Sequence, residues 1–315
     1  MALGISFRGC WLLALLTFSL LIAPAAAQNP AGTGPATPNP EGPMTGAPPG
    51  GDRQVPGALP PRGPADQAAP AETRLAKLGP AQPDEHPLMP ALRWAYDGVG
   101  NIEKLQDYSA TMVKRERVNG KVSEPEYMFV KIRHQPFSVY MHFTGPADLK
   151  GREVIYVQGR NSGNLLAHAT GLQGKLLGML ELAPTGVVAM RGNRYPLTEI
   201  GILNMVRRLV EVGEQDIKYG ECEVKFFKGA KINNRVCTCI QVVHPVPRRN
   251  FLFHVARIFV DDEFNLPIRY ESYDWPEQPG GPTRLLEEYT YLNLKLNNGF
   301  TDADFDPRSY PGFPK

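Results

Sequence analysis

The chain has 315 residues, with 34 Lys+Arg against 32 Asp+Glu and a formal net charge of +2. So even a balance gives no electrostatic case for a nucleic-acid partner, and the doublets Arg207-Arg208 and Arg248-Arg249 read as solvated surface. Its 31 Gly and 31 Pro are spread unevenly, and that unevenness divides the chain into three parts.

Residues 1–27 come first. Arg8 gives a short positive start, an apolar run follows from Trp11 to Ile22, and Ala25-Ala26-Ala27 ends the segment before Gln28. A basic start, a short apolar core and an A-x-A end describe a cleaved secretory signal. About twelve apolar residues fall short of the roughly twenty that a spanning helix needs. Phe7-Arg8-Gly9 before Cys10 puts a charge where a lipidation signal needs apolar and small residues. The expected location is therefore outside the cytoplasm, in the periplasm or envelope, with no spanning segment after cleavage.

Residues 28–84 form the second part. Between Gln28 and Pro83 there are 14 Pro and 9 Gly, with almost no aliphatic or aromatic side chains. Such a stretch cannot bury enough apolar surface to offset its ordering entropy, so it reads as a disordered, partly stiff spacer. From residue 85 to 315 the composition is globular and long enough for one substantial core.

In that domain a helix comes first, with Leu88, Leu92, Ala95, Val99, Ile102 and Leu105 at helical spacing and Pro90 in its opening turn. The period then changes to two. Asp107 to Arg117 reads as a strand, Asn119-Gly120 as a turn and Pro125 to Arg133 as the partner strand. Along Phe137 to Phe143, Val139, Met141 and Phe143 share one face, while Ser138, Tyr140 and His142 share the other. Glu153 to Val157 and Leu165 to Thr170 continue the meander. Leu172 to Leu182 carries Leu176, Leu177, Met179, Leu180 and Leu182 around Gly174 and Gly178. It reads either as a core strand or short helix, or as an adaptable apolar flap beside a cavity. A second helix is expected over Leu197 to Glu214, with Leu203 and Val206 on its apolar stripe. Strands then follow at Cys222 to Ile232, Arg235 to His244, Val255 to Asp261, Pro267 to Trp275 and Arg284 to Leu296. One-sided strands with short links predict an α+β fold with a curved antiparallel sheet of around ten strands.

Three cysteines remain after the signal: Cys222, Cys237 and Cys239. A turn at Asn233-Asn234 puts Cys237 opposite Ala230 and Cys222 beyond reach. A turn at Gly229-Ala230 would make Cys222 and Cys237 direct partners. Asn-Asn tolerates the positive φ of a type I′ turn, which favours the first register.

No catalytic or metal-binding motif stands out. Phosphate loop, dinucleotide fingerprint, nucleophile elbow and HExxH are all missing. His86, His134, His142, His168, His244 and His254 lack metal-ligand spacing. Asp302, Asp304 and Asp306 imitate a calcium loop, but Pro307 occupies the turn-glycine position and Phe313 the bidentate-Glu position. Neighbours in Asp261-Asp262 and Glu287-Glu288 point to opposite faces of a strand. The chain is therefore expected to be no enzyme and to hold no cofactor.

The stretches RHQPFSVYMHF (133–143), GREVIYVQGRNSGNLLAH (151–168), RYPLTEIGI (194–202) and DFDP (304–307) resemble the bacterial family known as domain of unknown function 1571. More coarsely, the order of elements, the Arg-x-x-Pro-Phe strand and the Pro267-Ile268-Arg269 strand are similar to the periplasmic lipoprotein carriers LolA and LolB. The linker and the 144–195 insertion depart from a minimal carrier. That resemblance implies an unclosed half β-barrel around helices, with an apolar cavity for acyl chains. Hiding a sixteen-carbon chain from water is worth on the order of 12 kcal/mol, at about 0.8 kcal/mol per methylene. Val139, Met141, Phe143, Leu176, Leu177, Met179, Leu180, Leu203 and Val206 are the candidate cavity residues. The expected function is binding of a lipid, a lipoprotein acyl chain or another apolar ligand. The alternatives are a structural or protein-interaction module with an envelope protein partner, and a hydrolase assembled from distant residues such as His168 and Glu153.

Overall fold

The computed structural model describes residues 82–169, 171 and 178–313. Residues 1–27, read above as a signal, and residues 28–81 of the stretch read as a spacer lie outside the described residues, as do Leu176 and Leu177. Helix α1 spans Met89–Ile102. Strands follow at β1 (Asp107–Val118), β2 (Lys121–Val122), β3 (Glu126–Arg133), β4 (Ser138–Gly145), β5 (Glu153–Val157), β6 (Leu165–His168) and β7 (Met179–Leu182). Helix α2 spans Ile202–Asp216. The last strands are β8 (Glu223–Ile232), β9 (Arg235–Val243), β10 (Val255–Asp261), β11 (Leu266–Asp274) and β12 (Arg284–Leu296).

The strands form a single sheet in the order β7-β6-β5-β4-β3-β1-β12-β11-β10-β9-β8, with β2 paired to β1. Its ladders are antiparallel, and β7 and β8 are its two edges. Two meanders are thus stitched together along β1 and β12, where Met112 faces Tyr291 and Lys114 faces Tyr289. The sheet does not close on itself among the described residues.

Alternation sorts the two faces. Tyr108, Ala110 and Met112 on β1, Met128, Val130 and Ile132 on β3, and Val139 and Met141 on β4 are buried in one core. The two helices contribute Leu92, Trp94, Ile102, Ile202 and Val206 to the same core. A Cβ on Gly213 of α2 would lie 2.7 Å from Leu92 Cδ2, so the missing side chain lets the helices approach. On the opposite face Tyr140, Ile155, Val157 and Leu166 are covered by Phe305 and Phe313 of the C-terminal segment. Asp107 anchors that segment. Its buried carboxylate accepts backbone N–H groups of Asn298 (2.5 Å), Gly299 (3.0 Å) and Phe300 (2.8 Å).

Local turn chemistry follows the sequence closely. Asn119 and Gly120 have φ of 49° and 79°, and Asn233 and Asn234 have φ of 47° and 64°, as type I′ turns require. The Asn233-Asn234 turn sets Ala230 opposite Cys237, which leaves Cys222 remote from Cys237. The three cysteines are free and buried.

Two expectations are corrected. The continuous helix over 197–214 is instead a short 3-10 turn at Leu197–Glu199 followed by α2. Gly201, at φ 109°, separates them, and a Cβ there would lie 3.0 Å from the Tyr108 hydroxyl. That hydroxyl accepts the Ile202 N–H at 2.8 Å, satisfying a buried donor at the start of α2. The second correction concerns Leu172 to Leu182: its described end is a strand, as one reading had it, but that strand is the edge β7, paired with β6, and not a core one. None of the described helices is long and apolar enough to cross a membrane.

Candidate functional site

Where the start of α2 crosses the ends of β3, β4 and β5, the packing leaves a cavity of about 260 Å³. Ile132 closes one side from β3, and Phe137 and Tyr156 form a tilted aromatic pair with centroids 6.2 Å apart. Thr198, Ile200, Gly201, Leu203 and Asn204 supply the opposite wall. His134, Gln158 and Arg207 complete the lining. Asn204 fixes its own wall, donating to the carbonyls of Thr198 (3.2 Å) and Ile200 (3.0 Å). A second cavity of about 60 Å³ lies among Leu92, Trp94, Val206, Ile240 and Phe253. Ligand sites usually run from about 300 to 1,000 Å³, so the first approaches that size and the second does not.

His134 is the chemically distinctive member of the lining. Both its ring nitrogens are buried with no side-chain hydrogen-bond partner among the described residues, and the Leu105 carbonyl is the acceptor that approaches the ring. Burial lowers its pKa below the ordinary imidazole value. Arg207 acts in the same direction, against the Leu105 carbonyl, Asp107 and Glu103. Arg207 itself pairs with Glu103 at 2.5 Å, both side chains being half exposed.

Of the sequence-derived cavity residues, Leu203 lines the larger cavity and Val206 the smaller. Val139, Met141 and Phe143 are buried side by side on β4 within the main core. Met179 and Leu180 sit on the edge strand β7, with Met179 42% exposed. The alternation that grouped the β4 residues is right, and they are buried in the core that the helices also join. Ile132, His134, Phe137, Tyr156, Ile200, Asn204 and Arg207 were missed as lining residues. Only the one-turn spacing of Leu203, Asn204 and Arg207 on α2 could have signalled part of the set.

Three other polar clusters are built into the fold. On the core face, Glu116 and Glu287 are cross-strand neighbours and both are buried. Arg194 donates its backbone N–H to Glu116 (2.9 Å) and its Nε to Glu287 (3.0 Å). Burial raises the pKa of Glu287 above the usual carboxylate value, and Arg194 opposes the shift. This pair thereby clamps residues 193–195, which lead directly into the cavity wall at Thr198–Gly201.

On the other face, Glu153 and His168 are direct partners across β5 and β6. Tyr140 donates to Glu153 at 2.7 Å, and the backbone of Gly312 lies against both, where a Cβ would reach 1.7 Å from Glu153 Oε2. The sequence-derived pair is thus together, beneath the C-terminal segment. Near the end of α2, Asp216 and His244 form a buried pair at 3.3 Å, with His244 stacked on Phe251 at 3.9 Å. Burial raises the thiol pKa of Cys222 and Cys239 to about 11 and that of Cys237 to about 12, which leaves little thiolate to react.

Comparison with known proteins gives a family and several distant folds. The model of the family described as "Protein of unknown function (DUF1571)" matches residues 105–311. No curated protein matches the chain. Among solved structures, the lipoprotein LppX of Mycobacterium tuberculosis is 14% identical with a TM-score of 0.39, covering 69% of this chain and 100% of its own. LprF of Mycobacterium bovis is 13% identical with a TM-score of 0.38, covering 71% and 97%. A LolA superfamily protein of Nitrosomonas europaea is 10% identical with a TM-score of 0.30, covering 69% and 99%.

Proposed function

This chain belongs to the DUF1571 family of proteins of unknown function, and from that premise we propose that it is an exported envelope protein that binds an apolar ligand without transforming it. The observation that carries this reading is the cavity of about 260 Å³ between α2 and the sheet. Its volume suits a short acyl tail or one end of a longer one. Ile132, Phe137, Tyr156, Ile200 and Leu203 supply the apolar wall, and each buried methylene gains about 0.8 kcal/mol. The N-terminal signal supplies the setting, because an apolar molecule outside the cytoplasm must cross water. Solvent extraction and native mass spectrometry of the purified protein test the reading. A bound apolar molecule of matching size supports it, and an empty protein that takes up no added apolar ligand contradicts it.

A second reading, an interaction module for an envelope protein partner, is favoured by the segment after β7, where Val187 and Val188 are 85% and 60% exposed. Cross-linking from this segment to an envelope protein, lost on Val187→Ser and Val188→Ser, would support it.

A further inference from the structure

If the larger cavity holds an apolar ligand, its lining also bears on the head of that ligand. Among the described residues that line it, Arg207 is the charged one at neutral pH and none is Asp or Glu. The guanidinium pairs with Glu103, and the two side chains are 50% and 48% exposed. Exposed pairs of this kind hold weakly and exchange readily. A guanidinium fork matches a carboxylate or phosphate in geometry and charge. Beside it, the buried imidazole of His134 meets the Leu105 carbonyl and has no side-chain hydrogen-bond partner among the described residues. A cationic fork, beside an imidazole that has no side-chain hydrogen-bond partner among the described residues, on the rim of a cavity with an apolar wall complements an acidic amphiphile.

We propose, resting on the apolar-ligand reading, that the ligand carries an acidic head on its apolar tail. The head sits between Arg207 and His134, while the tail lies against Phe137, Tyr156 and Leu203.

The site also has a proton linkage. His134 faces Arg207 from α2, Glu103 after α1, Asp107 on β1 and the Tyr108 ring. In the free protein, burial and Arg207 keep the ring neutral. An anion placed against it favours the imidazolium, so His134 takes a proton from solvent as the acid binds. Affinity for the acid therefore rises as pH is lowered from about 8 to about 6, and falls as pH rises through the His134 value of the complex.

Calorimetric titration of the full chain with octanoate, octyl phosphate and 1-octanol tests this. The expected result is that both acids bind more tightly than the alcohol, with proton uptake revealed by buffers of different ionisation enthalpy. The tighter of the two acids identifies the head. Arg207→Gln, at a half-exposed position, should weaken acid binding by about tenfold and alcohol binding by much less. His134→Asn should abolish the proton uptake. Binding of 1-octanol as tight as that of the acids, or acid binding indifferent to Arg207→Gln, overturns the acidic head and leaves the apolar cavity standing. Binding of none of the three overturns both.

Discussion

Glu116 and Glu287 stand opposite each other on β1 and β12 with the Tyr289 hydroxyl between them, 2.5 Å from Glu116 Oε1 and 3.3 Å from Glu287 Oε2. Burial, with the nearby charge of Glu116 in the same direction, disfavours the ionised form of Glu287. Burial raises the Glu287 pKa, so its stabilising effect is complete below its ordinary value of 4.5 and is lost as pH rises through the folded value. Glu287→Gln stays neutral throughout. Its Tm relative to the unsubstituted chain should therefore improve as pH rises from about 4 to about 8. A difference that stays constant with pH would contradict the assignment.

Tyr108 links the centre of the sheet to the start of α2 through its hydroxyl. Tyr108→Phe leaves the Ile202 N–H buried without that acceptor, and should destabilise the protein by about 1–3 kcal/mol in denaturant titration. An unchanged midpoint would show that the bond does not hold the helix.

Asp107 gathers three backbone N–H groups of the C-terminal segment on one buried carboxylate. Asp107→Ala should make residues 298–313 the first site of limited proteolysis, with a loss of about 2–4 kcal/mol in stability. Cleavage that begins elsewhere at the original rate would deny the anchoring role.

The thiols of Cys222, Cys237 and Cys239 are free, buried and raised to about 11 or 12. Protein expressed without residues 1–27 should leave a thiol reagent unreacted at pH 8, expose three thiols on unfolding, and show the same Tm with and without reductant. A fast-reacting thiol in the native protein would contradict this burial.

How legible this was depends on the range of the interactions. Alternation placed Val139, Met141 and Phe143 on one face, and the positive φ tolerated by Asn233 and Asn234 set Cys237 opposite Ala230. Those signals lie within a few residues of chain. The pairing of β1 with β12, which joins the two meanders, spans most of the domain and leaves no local trace. The cavity was hidden for the same reason. Phe137, Tyr156, Ile200 and Leu203 meet only because Gly201 breaks the expected helix and Tyr108 caps the start of α2. The β4 residues lie in the same buried core as helix residues, and no pattern in one strand distinguishes a packed neighbour from an open space.

The central claim is that the cavity beside Leu203 holds an apolar ligand, and occlusion tests it most directly. Leu203→Trp places an indole in a space of about 260 Å³ while keeping an apolar wall. Native mass spectrometry of the full chain with added octanoate should show a one-to-one complex that Leu203→Trp abolishes, with Tm essentially unchanged. Equal occupancy in both proteins would contradict the claim.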